Sequence, residues 1–146
     1  MDLQLRNQLF DKYPTIYNPH HLHDGIGCQD GWFTLLCELG SALSAHQHQL
    51  AGTDPLIITE IKQDNGALRI VHWHGDQRSR QLIDAAEQRA ATICELDGKP
   101  AETLYVCAPR WFRYLCQTCA ELHECMTIDD YLADIHADTN EHLDEI

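Results

Sequence analysis

Seven cysteines stand in this chain of 146 residues, and five of them crowd into positions 94, 107, 116, 119 and 125. An odd count excludes a fully paired disulfide framework. Such crowding points to metal ligation or to burial as small apolar side chains, with the thiols reduced. A redox role for Cys116-Gln117-Thr118-Cys119 is disfavoured, because the pair lacks the βαβ setting of thioredoxin-like chemistry.

Ten histidines add further ligand chemistry. His72 and His74 alternate along an apolar run and would share one strand face, His20, His21 and His23 crowd a loop, and His46 and His48 end a helix. Groups of this kind are more often polar surface residues than metal sites. Asp30-Gly31-Trp32 reads better as a helix cap, a close approach and a core aromatic than as an anchor for a partner. Lys62 and Arg69 flank a turn and are too few to form a nucleic-acid patch. The sequence has no phosphate-binding glycine loop, dinucleotide fingerprint, nucleophile elbow or zincin helix, and no His-x-Glu precedes a Pro-Cys-x-x-Cys as in zinc deaminases. The expectation is a binding protein with no catalytic residues.

Charge points to the class of partner. The formal net charge is -13, and from Glu121 onward nine acidic residues meet no Lys or Arg. The first 120 residues hold the other fourteen acidic residues against ten basic ones, a balance of only -4. This field repels phosphate backbones and attracts basic protein surfaces. The predicted partner is a host protein or nucleoprotein with a basic surface, met by Asp129, Asp130, Asp134 and Asp138, with no direct nucleic-acid contact. An acidic terminus can equally serve solubility. No apolar run is long enough to span a bilayer, and the opening residues lack the flank and core of a signal peptide, so no membrane and a cytoplasmic location are expected.

These groups need elements to position them. Leu3, Leu5, Leu9, Phe10 and Tyr13 predict a short helix closed at Tyr13-Pro14. Residues 18–31 read as an ordered loop rich in glycine and histidine. Leu35, Leu36, Leu39, Ala42 and Leu43 recur with helical period, with Asp30 as the expected cap. Two β-branched runs, 56–61 and 68–73, flank Asn65-Gly66 and predict an antiparallel hairpin with Ile57, Thr59 and Ile61 on one face and Ile58 and Glu60 on the other. Leu82, Ile83, Ala86, Ala90 and Ile93 mark another helix, ending near Gly98-Lys99-Pro100. Thr127-Ile128-Asp129-Asp130 reads as a capped helix start, with Ile128, Tyr131, Leu132 and Ile135 on its apolar face. The fold class is α+β: one compact domain over residues 1–125, with a two-stranded or slightly larger antiparallel sheet packed by helices and a cysteine knuckle at about 94–119. An acidic amphipathic helical tail follows over 126–146.

Several short motifs follow one another along the chain: Lys12-Tyr13-Pro14, Cys28-Gln29-Asp30-Gly31-Trp32, Ile61-Lys62 with Gly66-Ala67-Leu68-Arg69, Ala86-Glu87, Cys94-Glu95-Leu96-Asp97-Gly98 and Leu115-Cys116-Gln117-Thr118-Cys119. Over about residues 3–122 the chain resembles a family of short phage and prophage proteins of unassigned role, whose members carry a Cys-x-x-Cys-Gly knuckle closed by a later Cys-x-x-His. The resemblance implies a zinc knuckle, here with Asp97 in place of the second cysteine and Cys119 in place of the histidine. Cys for His suits zinc, whereas Asp for Cys weakens a structural site. The implied ligands are Cys94, Asp97, Cys116 and Cys119, with Cys107 or His123 as the alternative fourth ligand. Together with the acidity, the resemblance suggests an inhibitor of a host defence nucleoprotein, of anti-CRISPR or anti-restriction type, in a bacterial host cell. A zinc-stabilised adaptor or regulator, and an immunity protein that neutralises a basic toxin, are the alternatives.

Overall fold

The computed structural model describes residues 1–50 and 54–141. Helix α1 (Leu3–Lys12) begins where the Asp2 carboxylate accepts the Gln4 backbone N–H at 2.9 Å, and Lys12 stands in its last turn. Both charges suit the helix dipole. After α1, Tyr13 and Tyr17 meet edge to face at 6.2 Å. They pack on Gly40 of helix α2 (Phe33–His48), where a β-carbon would stand 2.8 Å from the Tyr13 ring. The Tyr17 hydroxyl donates to the Leu36 carbonyl at 2.6 Å.

The expected cap of α2 is a correction. Asp30 lies in a 3-10 turn, Asp30–Trp32, that leads into α2, and no side chain caps that turn or the helix. Asp30 instead accepts the Asp2 backbone N–H at 2.7 Å, so it serves the start of α1.

Strands β1 (Ile26–Gly27), β2 (Ile57–Asp64) and β3 (Ala67–Trp73) form the first sheet, in that order, with β1 parallel to β2 and β2 antiparallel to β3. The hairpin turns at Asn65 and Gly66, whose φ values of 50° and 91° are the positive pair that this two-residue turn requires. The expected face alternation fails. A bulge between Ile58 and Glu60 inserts one residue, so Ile58 and Ile61 both enter the core. Strict alternation would have put them on opposite faces.

Helix α3 (Gln77–Ala90) buries Ile83, Ala86 and Ala90 and packs against β3 and α2. Its Glu87 accepts the Ile70 backbone N–H at 2.9 Å, covering a donor on the outer edge of β3. That contact explains what Ala86-Glu87 does here: one residue packs and the next closes a strand edge.

A second sheet, absent from the sequence expectation, follows the knuckle. Strands β4 (Thr103–Cys107), β5 (Trp111–Leu115) and β6 (Met126–Thr127) run antiparallel in the order β5-β4-β6, and the short helix α4 (Gln117–Leu122) joins β5 to β6. A separate small core gathers Cys94, Ala101, Cys107, Leu115, Cys119 and Ala120. Cys107 and Cys125 form a disulfide, so the expectation that every thiol is reduced does not hold for this pair. The architecture is α+β, built on two small sheets.

Helix α5 (Ile128–Glu141) is continuous with β6, so the acidic segment starts inside the second sheet. Thr127 Oγ1 accepts the Asp130 backbone N–H at 3.2 Å, as a cap should. Docking is confined to the first turn. Tyr131 meets Phe112 edge to face at 6.2 Å, whereas Leu132 and Ile135 remain 46% and 40% exposed. The expected apolar face therefore packs at Ile128 and Tyr131 and stays open beyond them. Asp144 and Glu145 lie outside the described residues.

Candidate metal centre

The knuckle starts where α3 stops. Thr92 and Ile93 turn the chain, Cys94 donates its backbone N–H to the Lys99 carbonyl at 2.7 Å, and Gly98 returns an N–H to the Cys94 carbonyl at 2.9 Å. Gly98 has φ +77°, the left-handed conformation that lets the chain reverse within five residues. This tight loop carries Cys94 and Asp97. The second pair comes from the start of α4, where Cys116 is the N-cap and its sulfur accepts the Cys119 backbone N–H at 3.5 Å.

The two pairs meet. One ligand atom from each of Cys94, Asp97, Cys116 and Cys119 lies within 4.8 Å of every other, and among the described residues no other group of His, Cys, Asp or Glu gathers in this way. The Asp97 Oδ2 accepts from Cys116 Sγ at 3.3 Å and from Cys119 Sγ at 3.2 Å. One carboxylate thus faces several thiols at the distance of protons that a cation could replace.

Burial pushes the Cys94 and Cys119 thiols up, and the Asp97 carboxylate, as an acceptor of their protons, adds to the rise. Burial also raises Asp97, but the Lys99 backbone N–H and the Cys94, Cys119 and Cys116 thiols outweigh it and hold this carboxyl at about 2. Backbone N–H groups of Cys116, Asp97 and Leu96 converge on Cys94, an arrangement that supports a thiolate. Three sulfurs and one carboxylate oxygen, drawn from two tight turns, make a donor set that could hold a metal ion. Its sulfur majority suits soft or borderline cations.

The alternative fourth ligands do not join. Cys107 is committed to its disulfide, and His123 is exposed just past α4, where its backbone N–H bonds the Cys119 carbonyl. The histidine groups do not assemble either. His46 Nε2 bonds the Asp76 carboxylate at 2.9 and 2.8 Å, His72 is half-buried with Nδ1 unpartnered, and His74 turns out of β3 with φ 59° towards Asp54.

The rest of the molecule holds the centre in place. The Gly31 N–H donates to the Glu95 carbonyl at 2.7 Å, and the Trp32 indole N–H donates to the Ile93 carbonyl at 3.2 Å, so the Cys28-to-Trp32 segment clasps the knuckle backbone. Glu95, only 1% exposed, points its side chain away from the centre, where Gln63 Nε2 donates to it at 3.1 Å and Arg113 Nε stands 4.0 Å away. Burial raises the Glu95 carboxyl against the pull of Gln63 and Arg113. Sequence reasoning passed over Glu95 because a lone acidic residue beside a cysteine carries no pattern. Nothing in its spacing marks it as the link between the two sheets.

Asp129, Asp130, Asp134 and Asp138 are all exposed on α5, and Tyr131 ties the base of that helix to β5. The described residues contain no helix long and apolar enough to cross a membrane. The chain matches no family model, no curated protein and no solved structure.

Proposed function

We propose that this protein is a zinc-stabilised binding module that presents the acidic helix α5 to a basic protein surface. The observation that supports it is the meeting of Cys94, Asp97, Cys116 and Cys119 in the unit that also carries α5. A sulfur-rich, four-ligand cluster favours zinc among the common cations, and zinc held by two turns contributes folding free energy directly. The ion's part would be to fix the knuckle to α4. The protein's part is to hold the four ligands together and to set α5 on the second sheet.

The exposed aspartates favour one particular use. A run of carboxylates on a helix, over a chain of net charge -13, competes for surfaces that otherwise hold a phosphate backbone. On that ground the partner is a host nucleoprotein of the defence class, and the resemblance to phage proteins supports the same reading. An immunity protein facing a basic nuclease toxin would use the same surface.

Metal analysis of protein purified under reducing conditions tests the first part. Close to one zinc per chain, lost with the folded C-terminal half on chelation, is the expected result. A metal-free protein with an unchanged melting curve would overturn it. Capture from host lysate with intact protein and with an Asp134→Lys/Asp138→Lys variant tests the second part, and equal recovery of one partner by both would remove α5 from the mechanism.

A further inference from the structure

Away from the metal cluster, a cleft of about 510 Å³ opens between the two sheets. That is within the size range of sites for small organic ligands. Its outer wall is the turn into β5. Trp111 is 54% exposed there, and the Arg113 guanidinium lies over its ring at 4.6 Å from the centroid. Arg110 stands exposed beside it on the same wall. Among the described residues neither guanidinium has a hydrogen-bond acceptor, and Arg113 Nε is buried without one. Its nearest carboxylate is Glu95 at 4.0 Å, which already accepts from Gln63.

The facing wall offers the side-chain amides of Gln29 and Asn65, also without partners among the described residues. The cleft therefore presents one cation without a partner among the described residues, Arg110, a second, Arg113, whose Nε lacks a hydrogen-bond acceptor although Glu95 lies 4.0 Å away, one aromatic ring open to solvent and two free amides. A compact ligand that answers all three carries an anion, a flat ring and a hydrogen-bonding edge. We infer that this cleft binds a nucleoside monophosphate, with the phosphate on Arg110 and Arg113, the base stacked on Trp111, and the base edge read by Gln29 and Asn65.

The chemistry is that of single-base recognition: aromatic or guanidinium stacking combined with hydrogen bonds to the exposed base edge. The charge of the chain limits the ligand's size. A long polyanion would extend into the acidic field, whereas one phosphate can stay against the two guanidiniums. Asp64, at the rim, is 3.8 Å from Arg69, and Glu95 is sealed beneath Arg113, so neither carboxylate stands free in the cleft. This inference does not depend on the metal or on α5.

Isothermal titration calorimetry of the full chain with AMP, GMP, CMP and UMP, each beside its nucleoside and beside inorganic phosphate, tests it. Saturable one-site binding is expected for at least one nucleotide, at least tenfold tighter than its nucleoside or phosphate alone. Arg110→Ala and Trp111→Leu should each weaken it tenfold or more, and Arg110→Ala should leave melting unchanged because that side chain is exposed. Trp111→Phe, which keeps a ring, should retain binding within a few-fold and covers the case in which the leucine variant is unstable. A tryptophan emission change that persists in Trp73→Phe would assign the signal to Trp111, since Trp32 is fully buried. No heat with any nucleotide at millimolar concentration, equal binding of phosphate or nucleoside, or wild-type affinity in Arg110→Ala would each overturn the inference.

Discussion

Gly31 and Glu95 are joined at 2.7 Å through backbone N–H and carbonyl, and a β-carbon on residue 31 would stand 2.0 Å from the Cys94 carbonyl oxygen and 2.4 Å from that of Glu95. The obstructing atoms are backbone, so no side-chain adjustment relieves the clash. Gly31→Ala should destabilise the fold by at least about 3 kcal/mol, the upper range for overpacking. It should also weaken metal binding, because the knuckle must move. Urea unfolding with a metal titration measures both, and wild-type values would show that the clasp is not needed.

Glu87 closes the edge of β3 by accepting the Ile70 N–H. Glu87→Ala leaves that donor without its partner and should cost about 1–3 kcal/mol. Glu87→Gln keeps an acceptor and should recover most of the loss. Amide hydrogen exchange at Ile70 checks the assignment, with faster exchange expected in the alanine variant alone.

Asp97 is the carboxylate among three thiols. Asp97→Cys completes a four-sulfur set and should raise zinc affinity tenfold or more, while Asp97→Ala should lower it by at least about tenfold, since losing a ligand costs no less than losing a ligand's hydrogen-bond partner. Competition with a chromophoric chelator reads both. An alanine variant that binds zinc as tightly as the wild type would exclude Asp97 from the ligand set.

Asp76 bridges two helices. The Ser79 backbone N–H first, and then His46, hold its carboxyl down at about 2, against an ordinary value of about 4. A depressed carboxyl contributes stability that is present above the ordinary value and is lost as pH falls through about 2. Asp76→Asn should therefore be less stable than the wild type at neutral pH, and the difference should shrink between pH 4 and pH 2. A constant difference across that range would show that the charge is not the source.

On α5, Asp134 and Asp138 are better positions for charge reversal than Asp129 and Asp130, because acidic residues in a first turn support the helix dipole. Asp134→Lys with Asp138→Lys should leave melting unchanged and slow association with a basic partner. The wild-type rate should itself fall as salt rises, since steering is screened within about 8 Å at physiological ionic strength. Stopped-flow association rates measure both effects.

The sequence showed most of the first sheet and its helices, because Asn65-Gly66 and the helical periodicities are local signals. It missed the bulge at Thr59, since a residue with no place in the alternation looks like any other until its partner strand is known. It also missed β4 and β5, although Thr103-Leu104-Tyr105-Val106-Cys107 and Trp111-Phe112-Arg113-Tyr114-Leu115 are rich in β-forming residues. The cysteines in and beside these runs read equally well as metal ligands, so the strand pattern does not stand out. The four centre residues are the set that the family resemblance implies, and Cys107 stands among the alternative ligands there because only three dimensions show that Cys125 reaches it first.

The Trp32 indole bond to the Ile93 carbonyl spans 61 positions of the chain. During synthesis, therefore, the N-terminal helices, the hairpin and α3 can all emerge while the largest buried side chain still lacks its acceptor. The clasp around it closes only when the knuckle arrives, and the Glu95 N–H finds its own acceptor, the Tyr114 carbonyl, later still. Long-range closures of this kind slow the final folding step. A chain interrupted before residue 93 would keep its helical periodicity and its hairpin but would carry an unsatisfied tryptophan at its centre, an intermediate that aggregation or proteolysis could capture.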